Sequence, residues 1–107
     1  MLDKLSDELH ATAVAKGFWE PVKQNKDIFI TKQLMMIVSE AVEVMEAIRK
    51  DKGKEEIADE IADIIIRTLD LYAGLVEHGY TDVSLDYALA KKSNVNKDRP
   101  ERHGVRF

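Results

Sequence analysis

Apolar positions in this chain recur at three- and four-residue intervals, and the two-residue alternation of strands is nearly absent, so helices are predicted throughout. The first should run from about Asp3 to Lys16 and stop at Gly17, a common helix terminator. Residues 17–21, Gly-Phe-Trp-Glu-Pro, read as a connector, because Pro21 lacks an amide donor and restricts Glu20. A long second helix is expected over roughly Asp27 to Lys50, a short turn at Asp51–Gly53, and a third helix from about Lys54 to His78, ended by Gly79. A fourth should begin near Thr81 and Asp82, either of which has a side chain able to cap it, and continue to about Asn96. Pro100 and Gly104 mark an irregular tail. The turn between the second and third helices is too short for anything but an antiparallel hairpin.

Helices of about 24 residues are ~36 Å long, whereas a compact domain of this size has a radius of gyration near ~13 Å. The hairpin must therefore be elongated, and the shorter helices cannot cover it. On the second helix Leu34, Ile37, Val38, Ala41, Val42, Met45 and Ile48 form one apolar stripe, while Lys32, Ser39, Glu46 and Lys50 gather in a solvated strip. Met36, Val44 and Ala47 lie outside both, so a second apolar face remains to be buried. A helix apolar over most of its circumference wants neighbours on several sides. The expected architecture is all-α, about four helices in one domain over residues 1–107, completed as a homo-oligomer, dimer or tetramer.

Composition narrows the chemistry. With 45% hydrophobic and 34% charged residues, the chain is a globular domain rather than a disordered tail. No apolar run approaches the ~20 residues that cross a bilayer, and the charged N-terminus is unlike a signal peptide, so a cytoplasmic protein without membrane contact is expected. The absence of cysteine excludes disulfides, thiolate zinc sites and iron–sulfur ligation. His10, His78 and His103 are scattered, and His10 and His78 are expected to be structural. A net charge of −4 argues against binding nucleic acid polymers.

Four acids stand out. Glu40 and Glu43 are neighbours on the second helix, and Glu40 lies among Met36, Ile37, Val44 and Ala47, away from the solvated strip. Glu60 and Asp63 repeat the spacing on the third helix, mid-hairpin, directly before Ile64-Ile65-Ile66. Glu43 and Glu60 are equally far from the turn, so the two pairs can meet. Converging carboxylates repel, and an unpaired buried charge costs several kcal/mol. Lone acid pairs are usually solvated residues matched with lysines. Two aligned pairs, one on an apolar face, favour a hard divalent cation with all-oxygen ligands, Mg²⁺ or alternatively Mn²⁺. A carboxylate di-iron site normally uses Glu-x-x-His pairs in a helical bundle, and none is present. Acids in the opening turn of the third helix, Glu55, Glu56 and Asp59, are explained by the helix dipole. Asp70 is expected to pair with Arg67, three residues earlier.

Glu40-x-x-Glu43, a gap of 16 residues, and Glu60-x-x-Asp63 resemble the signature of the MazG-like all-α nucleoside triphosphate pyrophosphohydrolases, which include dimeric dUTPases and phosphoribosyl-ATP pyrophosphohydrolase. Gly17-Phe18-Trp19 is similar to an element preceding the first motif in short members. The series Lys92, Asn96, Arg99-Pro100 and His103-Gly104 is similar to the tail of short, phage-type members. The resemblance implies that Glu40, Glu43, Glu60 and Asp63 bind Mg²⁺. It further implies that a ribo- or deoxyribonucleoside triphosphate is cleaved at the α–β phosphoanhydride to monophosphate and pyrophosphate, as nucleotide-pool housekeeping. Glu43 is assigned as the carboxylate that takes a proton from the attacking water.

The tail supplies positive charge: residues 91–107 hold six Lys/Arg against two Asp/Glu. Lys92 and Arg99 are the expected phosphate ligands, Asn96 a sugar or phosphate ligand one turn from Lys92, and His103 a further donor. Trp19 and Phe18 have two roles open, stacking on a base or core packing, the commoner fate of aromatics at a helix junction. Trp19 is carried as a candidate substrate residue. The alternative to an enzyme is a non-catalytic helical dimerisation or adaptor protein whose acidic faces are solvated.

Overall fold

A computed structural model describes residues 1–99. It is all-helical, with α1 at Leu2–Ala15, a 3-10 turn at Glu20–Lys23, α2 at Lys26–Arg49, α3 at Lys54–Glu77 and α4 at Leu85–Asp98. No strand occurs among the described residues. None of their helices is long and apolar enough to cross a membrane.

The two 24-residue helices form the expected hairpin. Asn25 opens α2, its side chain accepting a hydrogen bond from the Ile28 amide at 3.1 Å, which satisfies one of the free donors at a helix start. The turn back to α3 passes through Asp51 at φ 50° and Gly53 at φ 101°, the latter a backbone conformation that glycine adopts without a side-chain clash. The radius of gyration is 16.4 Å, with extents of 46 × 37 × 26 Å, well above the ~13 Å of a compact chain of this length.

Packing is concentrated at the end of the hairpin far from its turn. There α1 and the connector lie against α2 and α3, and Ala13, Trp19, Val22, Phe29, Ile30 and Leu71 form the core, with Ile37 and Leu75 packed on it. The connector holds this junction because Trp19 fits a notch at Gly74: a Cβ there would fall against the indole ring. Toward the turn the hairpin is held by a seam. On α2 it runs through Ile30, Gln33, Ile37, Glu40, Val44 and Ala47, and on α3 through Ile57, Glu60, Ile64, Arg67, Leu71 and Gly74; all are buried or half-buried. This three-four spacing is what two helices crossing at a shallow angle present to each other.

The face of α2 that buries within the chain is therefore the one carrying Met36, Val44 and Ala47. Of the longer stripe only Ile37 joins it; Leu34, Val38, Val42, Met45 and Ile48 stay about half exposed, as do Ile61 and Ile65 on α3. α4 starts later than the sequence suggests. Ser84, not Thr81 or Asp82, caps it by accepting from the Tyr87 amide at 3.1 Å. The start is displaced because Asp3 of α1 docks there, accepting from the Leu85 amide at 2.7 Å and the Ser84 hydroxyl at 2.5 Å. Asp86 returns the contact, accepting from the Leu2 and Asp3 amides at 2.9 and 3.0 Å. Two helix starts thus cap each other. The rest of α4 buries no residue.

Candidate active site

Glu40, Glu60 and Asp63 meet between α2 and α3, each offering an oxygen within 4.8 Å of the others. Glu40 and Glu60 occupy seam positions, and Asp63 stands one turn beyond Glu60 at the exposed margin. Adjacent ligands of an octahedral Mg²⁺ lie about 3 Å apart and opposite ones about 4.2 Å apart, given bonds of ~2.1 Å. The three oxygens would therefore need to draw in by at most about two ångströms. The donor set is all carboxylate, which suits a hard dication. Glu43 is exposed and falls outside this trio, although its charge reaches Glu60.

The electrostatics mark the cluster as undercompensated. The Glu60 carboxyl is held above its usual range, first by desolvation and then by repulsion from Asp63, Glu40, Glu43 and Glu56. Among the described residues one cation is paired with this cluster. Arg67 donates from Nε to Glu40 Oε1 at 2.9 Å, with 38% of its side chain exposed against 16% of Glu40's.

Arg67 is thus the partner of Glu40 and not of Asp70, which corrects the sequence expectation. Asp70 is taken up elsewhere. Its Oδ1 accepts from Trp19 Nε1 at 2.9 Å and lies 2.8 Å from His10 Nδ1. His10, itself buried, reaches Glu77 through Nε2, also at 2.8 Å. Both ring nitrogens thus face carboxylates. The His10 ring meets Trp19 edge-on at 4.6 Å between centroids, and His78 stacks on the indole at 5.9 Å. Both histidines are structural in this arrangement.

Two cavities flank Arg67. One, of about 350 Å³, is lined by Glu40, Asp63, Arg67, Lys16 and Phe18 among others; the second, of about 340 Å³, is lined by Phe18, Lys32, Gln33, Met36, Arg67 and Asp70 with part of Trp19. Trp19 is 5% exposed and packs in the core, with part of it on the wall of the second cavity. Phe18, at 64%, is the exposed aromatic beside the acids. Lys92 and Asn96 are exposed on α4 and line neither cavity. Arg99 caps the C-terminal end of α4, and His103 lies outside the described residues. Lys16, Lys32 and Gln33 carried no signal in the sequence. Arg67 carried one, since it shares a helical stripe with Glu60.

No curated protein and no solved structure matches the chain. A family match does exist, over residues 3–96, and it takes in all four helices' worth of the acid-bearing framework up to Asn96. Spanning most of the chain, it establishes that the protein belongs to the phosphoribosyl-ATP pyrophosphohydrolase family, a pyrophosphohydrolase branch of the MazG-like all-α superfamily.

Proposed function

We propose that this protein hydrolyses a nucleoside triphosphate, ribo- or deoxyribo-, at the α–β phosphoanhydride, releasing the monophosphate and pyrophosphate in a Mg²⁺-dependent reaction, with Mn²⁺ as a substitute. The observation that carries this reading is the convergence of Glu40, Glu60 and Asp63, of which Glu40 and Asp63 line a cavity large enough for part of a nucleotide. Glu40, Glu60 and Asp63 would hold the ion, with Glu43 joining them from the rim. A divalent ion bound there supplies neutralisation of the triphosphate and polarises the phosphorus under attack.

The chain's own residues do the rest. Glu43, exposed at the edge of the cluster, takes a proton from the water that attacks the α-phosphorus, and the bridging oxygen leaves with pyrophosphate. Phe18, with Trp19 behind it on the wall of the second cavity, offers a face to the base. Lys92, Asn96, Arg99 and His103 contribute phosphate and sugar contacts when α4 of a second copy lies over the acids. The half-exposed stripe of α2, from Leu34 to Ile48, supports such a homo-oligomer, because an apolar band of this length is normally covered.

Product analysis tests the reading. The protein is incubated with Mg²⁺ and a panel of ribo- and deoxyribonucleoside triphosphates, to which the family's name adds phosphoribosyl-ATP. Monophosphate and pyrophosphate, absent with Glu60→Gln, is the expected result. Diphosphate and phosphate would overturn the bond assignment. No turnover across the panel would favour the adaptor.

A further inference from the structure

We propose that Arg67 is a phosphate-binding residue of the acid site, and that its charge makes the site take a divalent ion together with a polyphosphate while opposing the ion alone. This rests on the reading of the acids as ion ligands. Three observations lead to it. Arg67 engages Glu40 through Nε, on one edge of the guanidinium, and no other partner meets it among the described residues. Its terminal nitrogens therefore remain to bind a ligand. The residue lines both cavities, so it stands between the acid-walled space and the one beside Phe18, Lys32 and Gln33. Finally, Asp70, the acid placed three residues on to capture it, is turned to His10 and Trp19 instead. The fold keeps Arg67 from being spent on a local ion pair.

Charge then decides what the site accepts. A guanidinium hydrogen-bonded to Glu40 lies within a few ångströms of any ion that Glu40 ligates, and like charges at that range repel. An anion placed between them turns the repulsion into two attractions. The planar fork suits a phosphate, taking two of its oxygens from one edge while the other edge still holds Glu40. Lysine carries the charge but cannot divide itself between two partners in this way.

The test uses Mn²⁺ alone, followed by electron paramagnetic resonance, and then inorganic tripolyphosphate in the presence of Mn²⁺, followed by calorimetry, on the wild type, Arg67→Ala and Arg67→Lys at matched helicity. Arg67→Ala should bind Mn²⁺ about three- to ten-fold more tightly, because a repelling charge is gone. It should bind tripolyphosphate about ten-fold more weakly or worse, the scale of a lost charge-assisted hydrogen bond. Arg67→Lys should recover part of the tripolyphosphate affinity. Should the alanine variant fail to fold, the lysine variant alone decides, with a several-fold loss for tripolyphosphate expected. Weaker Mn²⁺ binding in Arg67→Ala would overturn the proposal and leave Arg67 as a residue that only orients Glu40. So would a tripolyphosphate affinity within two-fold of wild type. A wild type that binds no Mn²⁺ even with tripolyphosphate present removes the ion reading and this inference together; a wild type that binds it, with variants that behave the same, removes only this one.

Discussion

Gly74→Ala sets two forces of opposite sign against each other. Gly74 lies inside α3, where alanine is the better helix former by about 1 kcal/mol, so helix propensity alone predicts a more stable protein. The structure predicts the reverse. A Cβ at this position would meet Trp19 Cζ2 and Cζ3 at 2.6 and 2.7 Å and fall closer still to Cη2, where ordinary contact begins near 3.4 Å. The obstacle is the rigid end of a ring, wedged between His10, Phe29 and His78, so it has no rotamer to slip into. Either the connector lifts or the indole leaves the notch. Overpacking of this kind costs about 1–3 kcal/mol, and an indole that leaves gives up its bond to the Asp70 carboxylate, about 1.5–3 kcal/mol more. After the propensity gain is subtracted, the variant should be less stable by about 2–4 kcal/mol, which for a domain of this length lowers the melting temperature by roughly 10–20 °C. Far-UV circular dichroism gives the melt. Trp19 is the chain's one tryptophan, so its emission reports the notch directly and should shift to the red. A melting temperature at or above wild type, with unchanged emission, would refute the packing account.

Other outcomes follow from the charges. Glu60→Gln removes the carboxyl most strained by its neighbours, so it should raise the melting temperature of the metal-free protein while abolishing stabilisation by Mg²⁺. The pH dependence has a defined sign: a carboxyl raised in the folded state stabilises it fully below the ordinary carboxylate range, and that contribution is lost as pH rises through the raised value. The difference in melting temperature between Glu60→Gln and wild type should therefore widen from mildly acidic to neutral pH, and a constant difference would count against the clustering. Asp86 behaves oppositely, its carboxyl held well below the usual range by the Asp3 and Leu2 amides and the terminal ammonium. Its contribution is present above the ordinary range and lost as pH falls through the depressed value, so Asp86→Asn should flatten the acid limb and speed hydrogen exchange in α4. His10→Leu takes from Asp70 and Glu77 the imidazole they share and should cost about 1–3 kcal/mol, read by denaturant melts.

The hairpin and its acids were legible because each depends on spacing along one helix or across one short turn. The seam was only half legible. Counting apolar residues on α2 picks out the longer stripe, Leu34 to Ile48, yet the seam runs through the shorter one because Glu40 and Gln33 interrupt it and lower its apolar score. The same geometry separates the two acids of the first motif. Glu40 is a seam position, whereas Glu43 precedes the next one, Val44, and is swung about 100° outward to the rim. Contacts spanning fifty positions or more left no local trace. Asp3 with Leu85, Trp19 with Gly74 and His10 with Asp70 join residues whose types are unremarkable one by one. The start of α4 was misplaced for that reason: its capping acceptor is supplied jointly by Ser84 and by a residue from the other end of the chain.

These long-range contacts also explain how acids survive in a helical seam. A buried or half-buried carboxylate cluster weakens the stretch of hairpin that contains it, and apolar residues at Glu40 and Glu60 would join α2 to α3 more firmly. The fold places its strongest packing outside that stretch, at the Trp19–Gly74 junction, and holds α1 on α3 through Asp70 and His10. Asp70 has a double effect there. By binding His10 and Trp19 it fastens the core, and by doing so it leaves Arg67 to face Glu40 and the two cavities. Packing and site are coupled through this one carboxylate, so Asp70→Asn should disturb the tryptophan environment and the Arg67 charge balance together, although Asp70 belongs to neither the acid trio nor the apolar core.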